Sequence, residues 1–406
     1  MTCGQTVLKH HDRIAVTGMG VVSPIGCGLR PYWSALINGT SGISQIERFS
    51  THGMRVSRGG EVKELDDSFC SGRPLPKCRA SQFLVFAASE ALRMAKWDDS
   101  LTPDSRLGVV VGTALGGIEW AERLIERPQD LHALVAANYD GPTRQLASWV
   151  SARGPAMTIS TACASGASSL GVAADLLRAG AATAVLAGGV DILCRFVLTG
   201  FNRLRALTRN EVRPFDLRRN GLLLGEGAGI VLMERESMAR RRGVIPAGFL
   251  LGHASCADGM HIIAPDAAGR GLETAIRLAM QSAGVTPKDI DFISAHGTGT
   301  PVNDRVETLV FKKVLGARAY DIPINSIKAH VGHTMGAAGT LEAIMCFLAS
   351  QYGRLPATLN YAVPDPICDL DYVPAPRRHE SRIILKTAVG FAGSNACLVL
   401  EGGEQE

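Results

Sequence analysis

Ala156-Met157-Thr158-Ile159-Ser160-Thr161-Ala162-Cys163-Ala164-Ser165-Gly166 is the stretch around which the rest of the chain can be read. Its β-rich run, Ala156 to Ser160, leads into a cysteine. A small-residue amphipathic segment follows from Ser165 to Arg178, with Leu170, Val172, Ala173, Leu176 and Leu177 at helical spacing, and it stops at Gly180. A strand entering Cys163 and a helix starting just beyond it put the thiol at a sharp turn, over the helix's positive end. That end favours thiolate over thiol, which predicts a nucleophile near neutral pH. The bland alternative is a buried structural cysteine, the commoner fate of a lone cysteine in a cytosolic enzyme. Three stretches further along the chain tip the balance, because each carries a group that a catalytic thiol needs.

Composition bounds the fold. A chain of 406 residues fits two or three domains or one large α/β unit. Hydrophobic residues make up 46% and aromatics only 5%, so the core must be built from Ala, Val, Leu and Ile. A net charge of +4 argues against general nucleic-acid binding and suits an acidic partner at a local basic patch. The cysteines are scattered without C-x-x-C pairs, so neither zinc nor a disulfide framework is expected, and reduced thiols point to the cytoplasm. Met1 to Asp12 is polar and lacks an apolar signal core, and no apolar run is long enough to span a membrane.

In chain order, Arg13 to Gly20 reads as a buried strand and Ser81 to Ala95 as a helix. Leu107 to Thr113 is a strand, and 118–153 is largely helical with interruptions. After the Cys163 strand and helix come strands over Ala184–Asp191 and Gly227–Arg235. The second half repeats that order, with a strand at Gly248–Ala254 and a helix at Gly271–Ala283. A strand at Asp291–His296 and a helix at Asp304–Leu315 follow, then a strand at Pro323–Ile327 and a helix at Gly336–Ser350. Strands at Ile383–Val389 and Ala396–Leu400 close the chain. The alternation predicts covered, mostly parallel sheets. It also predicts two halves, 13–245 and 246–402. The basic run at Arg235, Arg240, Arg241 and Arg242 would be a solvated connector between them.

The three downstream constellations are specific in different degrees. Ser294-Ala295-His296-Gly297-Thr298-Gly299-Thr300-Pro301 puts a histidine at a strand end, where α/β sites are built. Asn325-Ser326-Ile327-Lys328-Ala329-His330-Val331-Gly332-His333 leads into a glycine- and alanine-rich helix, an unusual composition for a core. Gly390-Phe391-Ala392-Gly393-Ser394-Asn395 is a tight turn that can offer a backbone N–H to a substrate and use the ring as a gate. Read blandly, these are a loop-capping histidine, a surface lysine and an ordinary hairpin. Together, a cysteine and two hydrogen-bonding histidines fit acyl transfer followed by carbanion formation.

In this order the four motifs resemble the β-ketoacyl-[acyl carrier protein] synthases, the condensing enzymes of fatty acid and polyketide synthesis. The resemblance runs from Arg13 to Leu400. It includes Arg213-Pro214-Phe215-Asp216 and Gly225-Glu226-Gly227-Ala228-Gly229. It implies the thiolase fold, with two similar halves of five mixed strands each in an α-β-α-β-α sandwich. It implies Cys163 as acyl-accepting nucleophile, with His296 and His333 binding the malonyl thioester carbonyl and promoting decarboxylation. Lys328 would support the His333 side, and Glu342 would be the buried glutamate on the following helix. The N–H groups of Cys163 and Phe391 would form the oxyanion hole, with the Phe391 ring as gate. Thr298 and Thr300 would hold the pantetheine arm, and Leu115 would lie in the acyl pocket. Arg205, with Lys77 and Arg79, would meet an acidic acyl carrier protein. No resident cofactor or metal is implied, since phosphopantetheine rides on the carrier. The family is usually homodimeric, and a heterodimer with a chain-length-factor subunit is the alternative.

Some positions depart from the family pattern. Asn220 and Leu222 stand where Asp and Phe are usual, Ala392 replaces a glycine beside the gate, and His330 has no derivable role beyond surface or packing. Fatty acid elongation and a specialised polyketide pathway both remain open. A thiolase would need a second cysteine near the C-terminus, for which Cys397 is the candidate, although it lies within a strand. A non-catalytic partner subunit would lack the nucleophile.

Overall fold

The structure is a computed structural model that describes residues 12–65, 76–98 and 106–403. Ten strands of one sheet organise it: β1 (Ile14–Ser23), β2 (Leu107–Gly112), β3 (Ala156–Ile159), β4 (Ala184–Asp191), β5 (Gly227–Arg235), β6 (Gly248–Ala257), β7 (Phe292–Ser294), β8 (Ile324–Asn325), β9 (Ile383–Val389) and β10 (Ser394–Gly402). Their spatial order is β8-β7-β9-β10-β6-β1-β5-β4-β2-β3, with the two-residue strand Gly26–Cys27 paired to β1. Each half therefore places its third, second, fourth, fifth and first strands side by side. In both halves the second strand is parallel to its neighbours, and the fifth is antiparallel to the fourth and the first. The halves join where Ile14–Val16 pairs antiparallel with Gly248–Leu250.

Seven helices carry the rest of the argument: α1 (Arg79–Met94), α2 (Gly141–Trp149), α3 (Ser165–Arg178), α4 (Arg195–Arg203), α5 (Arg270–Ala283), α6 (Pro301–Leu315) and α7 (Ala338–Tyr352). α3 and α7 pack on each other and touch strands of both halves, so they form the central layer. The sequence of α7, AGTLEAIMCFLASQY, is apolar or small nearly all round, and Ala338–Ser350 is buried. A helix with no polar face must lie inside. α1 and α2 cover the first half's five strands, and α5 and α6 cover the second half's, so the two halves of the sheet with the central and outer helices give the expected five layers of the thiolase fold. The outer cover is tight. A Cβ on Gly18 of β1 would lie 1.9 Å from the backbone oxygen of Ala91 of α1, so glycine is required on the strand.

The basic run near the midpoint is less solvated than expected. Glu236–Arg241 forms a short helix. Arg242 turns inward to Glu234 (2.6 Å) and the carbonyl of Ala95, and Arg235 bonds the carbonyl of Leu177. The run ties outer elements to the sheet through buried acceptors.

Candidate active site

The nucleophile turn is built by local backbone bonds. Ala162 takes φ +50°, a conformation that costs an L-residue energy unless its surroundings hold it. Ser165 holds it here, since its hydroxyl donates to Ala162 O (2.6 Å) and accepts from Thr161 N (2.9 Å). Cys163, just ahead of α3, is 5% exposed. Burial pushes its thiol up to about 12, while Lys328 and the N–H groups of Phe391 and of Cys163 itself pull it down. Burial therefore works against the thiolate that the helix end was expected to favour near neutral pH. The two N–H groups that act on the sulfur are the pair expected for an oxyanion hole.

The second half brings two histidines against this turn. The rings of His296 and His333 lie edge to face, with centroids 5.1 Å apart. His296 follows β7, and its backbone is fixed by Glu307 of α6, which accepts from His296 N (2.8 Å) and Gly297 N (2.7 Å). Lys328 donates to His296 O (2.7 Å), and its ammonium lies 3.4 Å from His296 Nδ1. Lys328 thus serves the His296 side directly, where the His333 side was expected. An ammonium has no lone pair, so Nδ1 of His296 must accept and the ring proton sits on Nε2. His333 follows β8 and reaches the same tautomer by another route, since its Nδ1 accepts from Met335 N (3.4 Å). Both rings are held well below the ordinary histidine value, first by burial and then by Lys328. They are neutral Nε2–H donors.

Glu342 of α7 takes the Lys328 ammonium at 2.5 Å on one carboxylate oxygen and the Lys386 ammonium at 2.6 Å on the other. Lys386 was not foreseen. The sequence marks Ile383–Val389 only as a strand, and Lys386 within it is fully buried.

A cavity of about 290 Å3 joins these parts. Cys163, His296, His333, Thr298, Thr300 and Phe391 all line it, and the two threonine hydroxyls are 2.9 Å apart. The Phe391 ring stacks on Phe201 of α4 at 5.4 Å. The gate turn can lie on the nucleophile turn because residue 390 is glycine, where a Cβ would stand 2.9 Å from Thr161 O. Ala392 is exposed and left-handed (φ +59°), and its N–H donates to Ile262 O (3.0 Å). Asn220 and Leu222, two departures from the usual pattern, also line the cavity.

The Beta-ketoacyl synthase N-terminal domain family matches residues 11–239, and the Beta-ketoacyl synthase C-terminal domain family matches 247–362. The chain belongs to the β-ketoacyl synthase family. It is 36% identical over 409 residues to 3-oxoacyl-[acyl-carrier-protein] synthase 2 of Synechocystis, covering 96% of this chain and 98% of that one. Among solved structures, it resembles a type II polyketide acyl-carrier protein in complex with its ketosynthase bound to the hexaketide. There the TM-score is 0.90 and the identity 30%, over 97% of this chain and 100% of that one. The ishigamide ketosynthase/chain length factor matches with a TM-score of 0.89 at 36% identity, over 97% and 99% of the two chains.

Other residues singled out on the β-ketoacyl synthase pattern fall in several places. Arg205 is exposed and lines the cavity, and Lys77 is exposed. Arg79 is a correction: its guanidinium turns inward to Glu226 (2.6 Å) and the carbonyl of Val62, so it holds the fold and cannot greet a carrier. Leu115 does not line the cavity; its N–H bonds Asp191, and its side chain packs on the first-half core. His330 is packing, fully buried between Thr40 O (2.9 Å) and Ala357 O (3.0 Å). Cys397 lies buried in β10, away from the cavity, which removes the thiolase alternative's second cysteine. Asp191 was missed. At the end of β4 it accepts from Thr113, Ala114, Leu115 and Gly336, linking the loop after β2 to the segment that follows His333. Burial still pushes it up to about 6. Its signal was a carboxylate closing an otherwise apolar strand.

Proposed function

We propose that this protein is a β-ketoacyl-[acyl carrier protein] synthase that extends an acyl chain by decarboxylative condensation with malonyl carrier. The observation that carries the reading is one cavity lined by Cys163 and by two neutral histidines whose Nδ1 atoms are both occupied. Cys163 attacks the acyl thioester of a loaded carrier. The tetrahedral oxyanion is held by the N–H groups of Cys163 and Phe391, and the thiol proton leaves with the pantetheine sulfur. Malonyl carrier enters next, with Thr298 and Thr300 along its pantetheine arm. His296 and His333 donate Nε2–H to the thioester oxygen while the carboxylate leaves as CO2, so the electron pair is held as an enolate. Its carbon attacks the acyl-Cys163 carbonyl and expels the Cys163 sulfur, which regains a proton. The product is a β-ketoacyl carrier two carbons longer.

The carrier would be the acidic acyl carrier protein, met at Arg205 beside the cavity and at Lys77. We place the enzyme in the cytoplasm, in keeping with the eight described cysteines, all free. Among the described residues no helix is long and apolar enough to cross a membrane. A second subunit, either another copy or a related chain-length-factor chain, fits the edge strand β3. Its outer edge ends the sheet, and the same half exposes Ile125, Leu131, Leu134 and Val135.

The test is intact-mass analysis after mixing with a panel of acyl carrier proteins, followed by peptide mapping. An acyl adduct on Cys163 is the expected result, and the groups accepted identify the primer. A folded protein that takes no acyl group from any carrier, alone or with a chain-length-factor subunit, overturns the reading.

A further inference from the structure

Lys386 stands on β9 between β7 and β10, an interior position where lysine is rare. Its ammonium reaches Glu342 Oε2 at 2.6 Å and the carbonyl of Thr387, while Lys328 holds Glu342 Oε1 at 2.5 Å. All three side chains are at most 3% exposed. One lysine would already neutralise one glutamate. The second leaves the triad with a formal charge of +1, enclosed in protein, and burying such a charge opposes folding. An apolar side chain on β9 would pack without that cost, so packing does not account for Lys386.

We infer that Lys386 is a positioning residue for the condensation: by sharing Glu342 with Lys328 it leaves one uncompensated positive charge behind His296 and His333, holding both as neutral Nε2–H donors and favouring negative charge on the substrate oxygen they bind. The inference rests on the synthase reading above. The groups that act on the rings are Lys328, Lys386 and, for His296, His333. Glu342 lies behind the lysines, Glu307 under the His296 backbone, and Cys163 shares the cavity. The Lys386 charge acts on both histidines in the same direction as burial and Lys328, pushing each below its ordinary value.

The test reads charge and is independent of turnover. The full-length protein, labelled with 15N-histidine, is titrated by NMR between about pH 5.5 and 8, with His296 and His333 assigned from single asparagine variants. In the wild type neither ring should titrate in that window, and both should show the Nε2–H pattern. K386M takes the triad to zero charge and should raise at least one of the two titrations into that window. K386M/E342Q restores +1 through Lys328 alone and should reverse most of that rise, while K386R should match the wild type.

A structural role predicts the opposite order, with the double variant further from the wild type than the single. That order overturns the proposal, as does a wild-type ring titrating near the ordinary histidine value, or K386M titrating like the wild type. If K386M fails to fold but K386M/E342Q folds, Lys386 serves to satisfy the buried Glu342 carboxylate and the proposal falls. If both fail to fold, Lys386 is structural and the proposal falls. Failure here leaves the Cys163 adduct test untouched, and failure of the adduct test leaves the titration readable.

Discussion

In the first half, the slot between the third strand and the helix that follows it, β3 to α3, holds Cys163. In the second half the same slot, β8 to α7, holds His333. His296 follows the second strand of its half, where the first half has Thr113, Ala114 and Leu115 gathered around Asp191. The two halves share a strand order and differ in what they bury. The first offers a thiol, backbone N–H groups and one buried carboxyl. The second concentrates Lys328, Glu342, Lys386, Glu307 and Asp304 behind its histidines. A repeated scaffold brings two loop sets to one cavity. Under the proposed function the side chains divide the reaction, one half accepting the acyl group and the other making the carbanion.

If the division is real, disabling one half should spare the other's step. Cys163→Ala should abolish the acyl adduct and lower condensation by about a thousandfold or more, yet leave malonyl-carrier decarboxylation measurable. His333→Ala should do the reverse, forming the adduct within about threefold of the wild-type rate while decarboxylation falls by about 100- to 1000-fold. CO2 release and adduct formation, followed separately on both variants, decide it. A variant that loses both steps together breaks the comparison, because the halves would then act as one unit.

Asp191 sharpens the comparison at lower stakes, since it joins the first half's loops to Gly336 of the second. Its folded value is raised from 3.8 to about 6, so the folded state binds a proton more tightly than the unfolded chain. The sign follows: this carboxyl favours folding at low pH, and that contribution is lost as pH rises from about 4 to 6. Relative to Asp191→Asn, the wild type should lose up to about 3 kcal/mol across that window and nothing further above it. Urea unfolding of both proteins at several pH values measures the gap. A gap that stays constant with pH would mean that the carboxyl does not carry this proton linkage.

The sequence was most legible where chemistry sits in glycine-flanked loops. Cys163, His296, His333 and Lys328 stand out because such residues interrupt apolar runs at strand ends. The alternation of strands and helices was legible for the same local reason. The strand order was not, because pairings such as β1 with β5 join residues over two hundred positions apart, and no local pattern encodes them. Lys386 was hidden because nothing local in Ile383–Val389 gives a lone lysine a buried partner, and only distant Glu342 supplies one. Arg79 misled in the opposite sense: a cation in a polar stretch reads as surface until Glu226 is seen beneath it. The thiolate expectation used the helix end, which is local, and lacked the burial of Cys163, which depends on both halves meeting.

The smallest expected effect concerns the second half's gate, which lies on the first half's nucleophile turn. Ala392 holds φ +59°, where an alanine methyl costs roughly 1–2 kcal/mol that glycine does not incur. Glycine also gains freedom in any open arrangement, worth about 0.4–1 kcal/mol, so the two effects nearly offset. Ala392→Gly should therefore favour the observed turn by only a few tenths of a kcal/mol and slow native-state exchange of the residue 392 amide about two- to threefold, through its bond to Ile262 O. Ala392→Val, with a branched Cβ at the same φ, should speed that exchange by more than the glycine slows it. The paired signs matter more than either size. Opposite shifts would show that backbone strain at Ala392 sets how often the gate turn leaves the nucleophile, whereas equal shifts would place the control in the Phe391–Phe201 stack, which neither substitution touches.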